Sequence, residues 1–173
     1  MQVPNAAPLQ LHLLLTPGTV QLELRAQTRD EVLRELVQLV PGFEQEPDRR
    51  ETLFQALRER EELHSTGVGD GVALPHARQA LPELLKQPVL VFGRHRSGVS
   101  FRAVDGRPVH LFFLLLAPDL TVHLAMLARL SRLLRQTGLR ERLLNAASKD
   151  TVIELIREAE HRLDHARGAS GTS

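Results

Sequence analysis

The sequence predicts an α/β domain of three layers, α/β/α, around a mixed central sheet. Two patterns carry this expectation. Short apolar runs of strand length fill the middle of the chain, and segments of helical periodicity lie on both sides of them. The element order is β-α2-β3-α3: one strand, two helices, three strands, three helices. At 173 residues, 42% hydrophobic and 25% charged, the chain has the size of one domain and a globular composition. The domain is expected over 10–165, with flexible ends at 1–9 and 166–173.

Val20, Leu22 and Leu24 alternate with Gln21 and Glu23, which predicts a short strand. Thr28 with Glu31 three residues later forms a capping box and opens a helix. Val32, Leu33, Leu36, Val37 and Val40 carry its apolar face, and Pro41 and Gly42 end it. A second helix begins at Asp48, places Leu53, Phe54 and Leu57 on one face, and runs to Leu63. Strands follow at 72–74, 89–92 and 109–116, the last apolar enough to be buried on both faces. Gly98 and Asp105 with Gly106 mark turns between them. Helices are expected over 121–136, 139–146 and 151–165.

Composition excludes several function classes. The chain has no cysteine, so disulfides, thiolate metal sites and cysteine nucleophiles are absent. Twenty-two basic and 21 acidic residues give a net charge of +1, which favours neither nucleic acid nor an anionic membrane. With no Trp, no Tyr and six Phe, stacking platforms for single strands are not expected. The longest apolar run, 109–118, contains His110 and is about half as long as a membrane-spanning helix. The first residues lack the basic region of a secretory signal, so a cytoplasmic location is expected.

The stretch from Arg60 to His76 is the most informative. It reads Ser65, Thr66, then Gly67, Gly69 and Gly71 at alternate positions, then a short apolar strand ending at Pro75 and His76. Glycines in this pattern can form a plain turn, or can turn backbone N–H groups toward an anion. The pattern is neither a Walker loop nor a dinucleotide fingerprint, because no Gly-Lys-Ser/Thr follows and Val72 starts a strand where a helix would be required. His76 stands at a strand exit, where α/β proteins place reactive groups.

The string STGVGDGVALPH resembles the active-site signature of the fructose/mannitol-type (type 2) enzyme IIA of the bacterial phosphoenolpyruvate-dependent phosphotransferase system, a family that includes nitrogen-regulatory enzyme IIA. FRAVDGRPVHLFFLLLAP and HLAMLARLSRLL resemble the segments that follow in that family, so the likeness extends over about 10–160. The resemblance implies that His76 is the phosphorylated histidine, with Arg60 and His123 as its active-site partners and Ser65, Thr66, Gly67, Gly69 and Gly71 as a phosphate loop. It implies a phosphoryl donor of the HPr type and transfer to a sugar-specific enzyme IIB. The alternative within the family is a regulatory protein whose phosphorylation state controls binding to partner proteins. A non-catalytic domain of the same fold, as in anion exchangers, is disfavoured by the presence of Arg60, His76 and His123. No metal and no cofactor is implied.

The sequence departs from the family pattern at His64, Asp70, Ala77 and Arg78, where Gly, Asn, Gly and Lys or Thr are common. Asp70 would weaken phosphate binding if it faced the site. Among the other candidates, His161 and His165 have a metal-compatible spacing but no visible third ligand. His95 reads as an exposed turn residue, His110 as a hydrogen-bonded strand residue, and Arg129, Arg132 and Arg135 as the polar side of a helix.

Overall fold

The computed structural model describes residues 7–169. The expected architecture is present, with one strand more than the sequence suggested. Strand β1 (Val20–Gln21) is followed by helices α1 (Arg29–Gln38) and α2 (Pro47–Leu63). Strands β2 (Gly67–Gly69), β3 (Val72–Ala73), β4 (Val89–Val99) and β5 (Val109–Leu116) come next. Helices α3 (Leu120–Leu134), α4 (Leu139–Leu144) and α5 (Lys149–Ala169) close the chain. The sheet order is β1-β4-β5-β3-β2. β1 pairs parallel with β4 and β3 parallel with β5, while β4–β5 and β2–β3 are antiparallel.

Of the ends read as flexible, residues 1–6 and 170–173 lie outside the described residues. Helix α5 continues through Ala169, four residues beyond its expected end. The N-terminal segment carries two 3-10 turns, Leu11–Leu14 and Pro17–Thr19, that the sequence pattern did not suggest.

Local chemistry accounts for the helix starts. Thr28 and Glu31 form the capping box of α1: the Glu31 N–H donates to Thr28 Oγ1 at 3.2 Å, and the Thr28 N–H to the Glu31 carboxylate at 3.3 Å. Pro47 occupies the first turn of α2, where its missing N–H costs nothing. Asp119 caps α3 and Ser148 caps α5 through side-chain oxygens.

Every residue of β5 except His110 is buried. Leu111, Phe113 and Leu115 pack with Met126, Leu130 and Ile156 of α3 and α5. Phe112, Leu114 and Leu116 pack with Leu36, Leu53 and Leu57 of α1 and α2. Two cores, one on each face, make the three layers.

Two expectations about single residues fail. His95 is not an exposed turn residue. Strand β4 runs on past Phe92 with an irregular register between Arg94 and Val99, and His95 is buried inside that stretch at 8% exposure. The Nδ1–H of His110 holds the irregular segment by donating to the His95 carbonyl at 3.1 Å. Arg129 is not on the polar side of its helix. It is 7% exposed and faces α5, with Nε donating to the fully buried Glu160 at 2.6 Å and the other two nitrogens to Asp164 at 2.9 Å. Two carboxylates satisfy the guanidinium fork, which is what allows a charge into this layer. Glu160 also accepts the backbone N–H groups of Leu11 and His12, at 2.7 and 3.0 Å, and so fastens the N-terminal segment to α5.

Arg129→Ala would leave the buried Glu160 without its guanidinium, held only by the His12 ring and the backbone N–H groups of Leu11 and His12. The expected loss is about 3–5 kcal/mol of unfolding free energy, measured by urea denaturation. A loss under about 1 kcal/mol would place the pair among surface ion pairs in energetic terms.

Candidate active site

His76 is placed by β5. Val72 and Ala73 of β3 lie beside Leu111 and Phe112, and the chain stays alongside until His76 pairs with Leu115. The Leu115 N–H donates to the Pro75 carbonyl at 3.0 Å. His76 therefore leaves the sheet at the C-terminal end of a strand clamped between two cores. Its ring folds back, and Nδ1 lies 2.7 Å from the Leu74 carbonyl. A carbonyl only accepts, so Nδ1 carries the proton and Nε2 keeps its lone pair.

His123 comes from the first turn of α3, is 8% exposed, and places its ring centroid 5.3 Å from that of His76, tilted by 56°. Arg60 comes from the last turn of α2. One of its nitrogens donates to the His64 carbonyl at 2.5 Å, which closes the helix end and leaves the rest of the fork available. Arg60, His76 and His123 thus converge from three elements distant in sequence. Burial pushes the His76 pKa down; the Leu74 hydrogen bond opposes this, and the charges of Arg60 and His123 add to the depression. Burial alone lowers His123. Both shifts favour the neutral ring, the state in which an imidazole is a nucleophile.

The glycines do not form a cradle at His76. β2 and β3 make a tight antiparallel hairpin, with Asp70 at φ 54° and Gly71 at φ 76° in its turn. That turn sits at the opposite end of β3, about 16–20 Å back from His76 at roughly 3.3 Å per residue. Gly67 is required by a close approach, since a Cβ there would lie 2.7 Å from Cβ of Ala103. Asp70 does not face the site either: it pairs with Arg140 of α4 at 3.0 Å. Of the expected loop residues, Ser65 and Thr66 lie at the His76 end. Ser65 Oγ donates to the Phe101 carbonyl at 2.6 Å, and the Thr66 carbonyl accepts from the Leu74 N–H at 3.0 Å.

Glu61 is a residue that sequence reasoning missed. It is 3% exposed, and its carboxylate accepts both the N–H and the hydroxyl of Thr66. Burial pushes its pKa up and the two Thr66 contacts pull it back. A signal was present: Leu53, Leu57 and Glu61 recur every four residues, so Glu61 falls on the apolar face of α2.

Arg60 and Ala77, the residue after His76, border an open groove of about 620 Å³ together with Leu63, Arg78 and Leu81. Leu63, Leu120 and Leu124 are exposed apolar residues on the two helix ends that supply Arg60 and His123. A slightly larger cleft of about 680 Å³, around Arg94 and Arg96, lies at the other end of β4 and contains none of the three site residues. His161 and His165 stack with centroids 4.1 Å apart on the exposed face of α5. Among the described residues, no group of three or more metal-ligating side chains occurs. No helix among them is long and apolar enough to cross a membrane.

The family profile described as "Phosphoenolpyruvate-dependent sugar phosphotransferase system, EIIA 2" matches residues 13–159. The chain belongs to this enzyme IIA family. Its relatives fall on both sides of the family. It is 35% identical over 147 residues, 84% of its length, to a fructose-specific EIIABC component of Bacillus subtilis, and spans 22% of that longer protein. It is 31% identical over 150 residues to a nitrogen regulatory protein of Pseudomonas aeruginosa, covering 86% of this chain and 95% of the relative. The crystal structure of nitrogen regulatory protein IIA-Ntr from Neisseria meningitidis superposes with a TM-score of 0.74 at 33% identity, covering 84% of this chain and 97% of that one. The α/β/α sandwich of this enzyme IIA is therefore the family fold.

The lowered histidines set a pH dependence. Titration followed by NMR should place the midpoints of both His76 and His123 below the ordinary value of about 6.5. Arg60→Ala should move the His76 midpoint upward, because a repelling charge is removed. Below about 6.5 the unfolded chain takes up protons that the folded rings refuse, so this contribution to stability falls as pH drops toward the folded midpoints and levels off beneath them. A His76 midpoint above 6.5 would contradict the burial argument.

Proposed function

We propose that this enzyme IIA is a phosphohistidine carrier that accepts a phosphoryl group on His76 Nε2 from an HPr-type phosphocarrier and passes it to a second protein. The observation that carries the reading is the hydrogen bond from Nδ1 to the Leu74 carbonyl, which leaves Nε2 as the free nucleophilic atom beside Arg60 and His123.

In the acceptance step the Nε2 lone pair forms a bond to phosphorus as the donor's N–P bond breaks, and the donor imidazole leaves with that electron pair. Positive charge develops on the His76 ring, and the Nδ1–H bond to Leu74 strengthens as it does. Arg60 offsets the charge of the phosphoryl oxygens and can bind two of them at once. His123 donates a hydrogen bond to a phosphoryl oxygen. In the second step the Nε2–P bond breaks toward the acceptor nucleophile, and His76 returns to the neutral tautomer. Donor and acceptor bonds are similar in kind, so positioning and charge stabilisation are the protein's main contributions. The apolar rim of Leu63, Leu120 and Leu124 suits macromolecular partners on both steps.

The proposed acceptor is a sugar-specific enzyme IIB. A regulatory role, in which the phosphorylation state of His76 controls binding to partner proteins, is the second reading. It is favoured by the near full-length match to the Pseudomonas aeruginosa nitrogen regulatory protein. Transfer assays against enzyme IIB proteins encoded in the same genome separate the two: rapid loss of label to one of them supports transport, and retention of label against all of them supports regulation.

Incubation with phosphoenolpyruvate, enzyme I and HPr should give an acid-labile label on His76 alone, abolished in His76→Ala. Undiminished labelling of that variant would refute the assignment. Arg60→Ala should slow transfer by about 10²–10³-fold with the fold retained, and Arg60→Lys should recover only part. His123→Ala should still be labelled on His76 but transfer onward poorly, with His123→Gln milder. Single-turnover kinetics in both directions measure these effects.

A further inference from the structure

We propose that Glu61 is a positioning residue for phosphoryl transfer: its buried carboxylate anchors the strand segment whose carbonyl fixes the tautomer of His76. The inference rests on the assignment of His76 as phosphoryl acceptor.

The support is a continuous chain of hydrogen bonds. The Glu61 carboxylate accepts the Thr66 N–H at 3.0 Å and the Thr66 hydroxyl. The Thr66 carbonyl accepts the Leu74 N–H at 3.0 Å. The Leu74 carbonyl accepts Nδ1–H of His76 at 2.7 Å. Each link constrains the next peptide plane, so the direction of the Leu74 carbonyl depends on where Thr66 is held as well as on the grip of β5 on Pro75. Pairing alone would hold Thr66 weakly. β2 begins after it, its register with β3 is irregular between Gly67 and Gly69, and β3 is two residues long.

Glu61 is placed to do this because it is next to Arg60 on the last turns of α2. Arg60 points to the site end while Glu61 turns inward, so one helix end sets both the charge near the phosphoryl group and the strand behind the nucleophile. Among the described residues Glu61 has no cation in direct contact: Thr66 supplies its hydrogen bonds, and Arg60 and Arg29 act on it only at longer range. A buried carboxylate with no cation in direct contact is costly, which argues that the position serves more than packing.

The chain of bonds requires acceptors, not charge, at residue 61. In Glu61→Gln the amide oxygen can accept the Thr66 N–H, and the amide NH₂ can donate to the Thr66 hydroxyl oxygen. In Glu61→Leu both contacts are lost at nearly constant volume. The experiment measures phosphate acceptance from phospho-HPr in wild type, Glu61→Gln and Glu61→Leu, with ¹⁵N NMR of the His76 ring to read which nitrogen carries the proton. Wild type should show Nδ1 protonated. Glu61→Leu should show a mixture of tautomers, acceptance slowed by about 10- to 100-fold, as for other partners that hold a histidine tautomer from behind, and some phosphate on Nδ1. Glu61→Gln should restore both the spectrum and most of the rate. If Glu61→Leu does not fold, Thr66→Val removes one of the two contacts and should give a smaller shift in the same direction.

Unchanged tautomer and rate in the folded Leu variant, or in Thr66→Val where that stands in, would overturn the proposal. A Gln variant as slow as Leu would also overturn it, because retained hydrogen bonds would then not have mattered. Absence of label on wild-type His76 is a different result: it removes the carrier assignment itself and the inference with it.

Discussion

The Nδ1–H of His76 is committed to the carbonyl of Leu74, two residues earlier in the same chain, at 2.7 Å. The geometry of the rest of the site is organised around that commitment. A free imidazole exchanges its proton between two nitrogens, and either can attack. Here one nitrogen is withdrawn and the other is presented, beside a second neutral ring and a guanidinium. The backbone that supplies the carbonyl must not rotate, and it does not because β3 is held against β5, the strand with a core on each face. A site of three side chains thus inherits its order from a sheet.

The two cores have different duties. The layer of α1 and α2 carries Arg60, and with it a helix end close to His76. The layer of α3, α4 and α5 carries His123, and it contains the one deeply buried guanidinium among the described residues, Arg129, paired with Glu160 and Asp164. Because α3 bears both His123 and Arg129, the ion pairs that fix α3 against α5 also limit how far the second histidine can drift from the first. Charges in this protein are buried where they restrain an element that serves the site.

Most of the fold was legible because its signals are local. The capping box at Thr28 and Glu31, the apolar faces of α1 and α2, and the unbroken run of β5 each declare themselves within a dozen residues. His76, Arg60 and His123 were legible through family resemblance, since no spacing rule joins residues on three separate elements. What stayed hidden depends on tertiary partners. The Asp70–Gly71 dipeptide is a hairpin signal, but a three-residue strand with two glycines does not look like one. The burial of His95 follows from an irregular register with β5, and that of Arg129 from carboxylates some thirty residues away, neither of which a window of sequence contains.

The order of the strands bears on how the molecule comes into being. β4 and β5 are consecutive and antiparallel, so their pairing closes a short loop. The parallel pairs are long-range: Val20 must find Phe92, and Val72 must find Leu111, each far beyond a hairpin's reach. Such contacts are slow to form because chain entropy must be lost before they reward it. His76, the proposed phosphoryl acceptor, follows the strand of the second of these pairs. A nascent chain with only its central hairpin formed would have Leu74 unpaired and His76 free to tautomerise, hence inert as a selective acceptor. On the proposed role of His76, chemical competence depends on the long-range β3–β5 pairing and not on the β4–β5 hairpin alone.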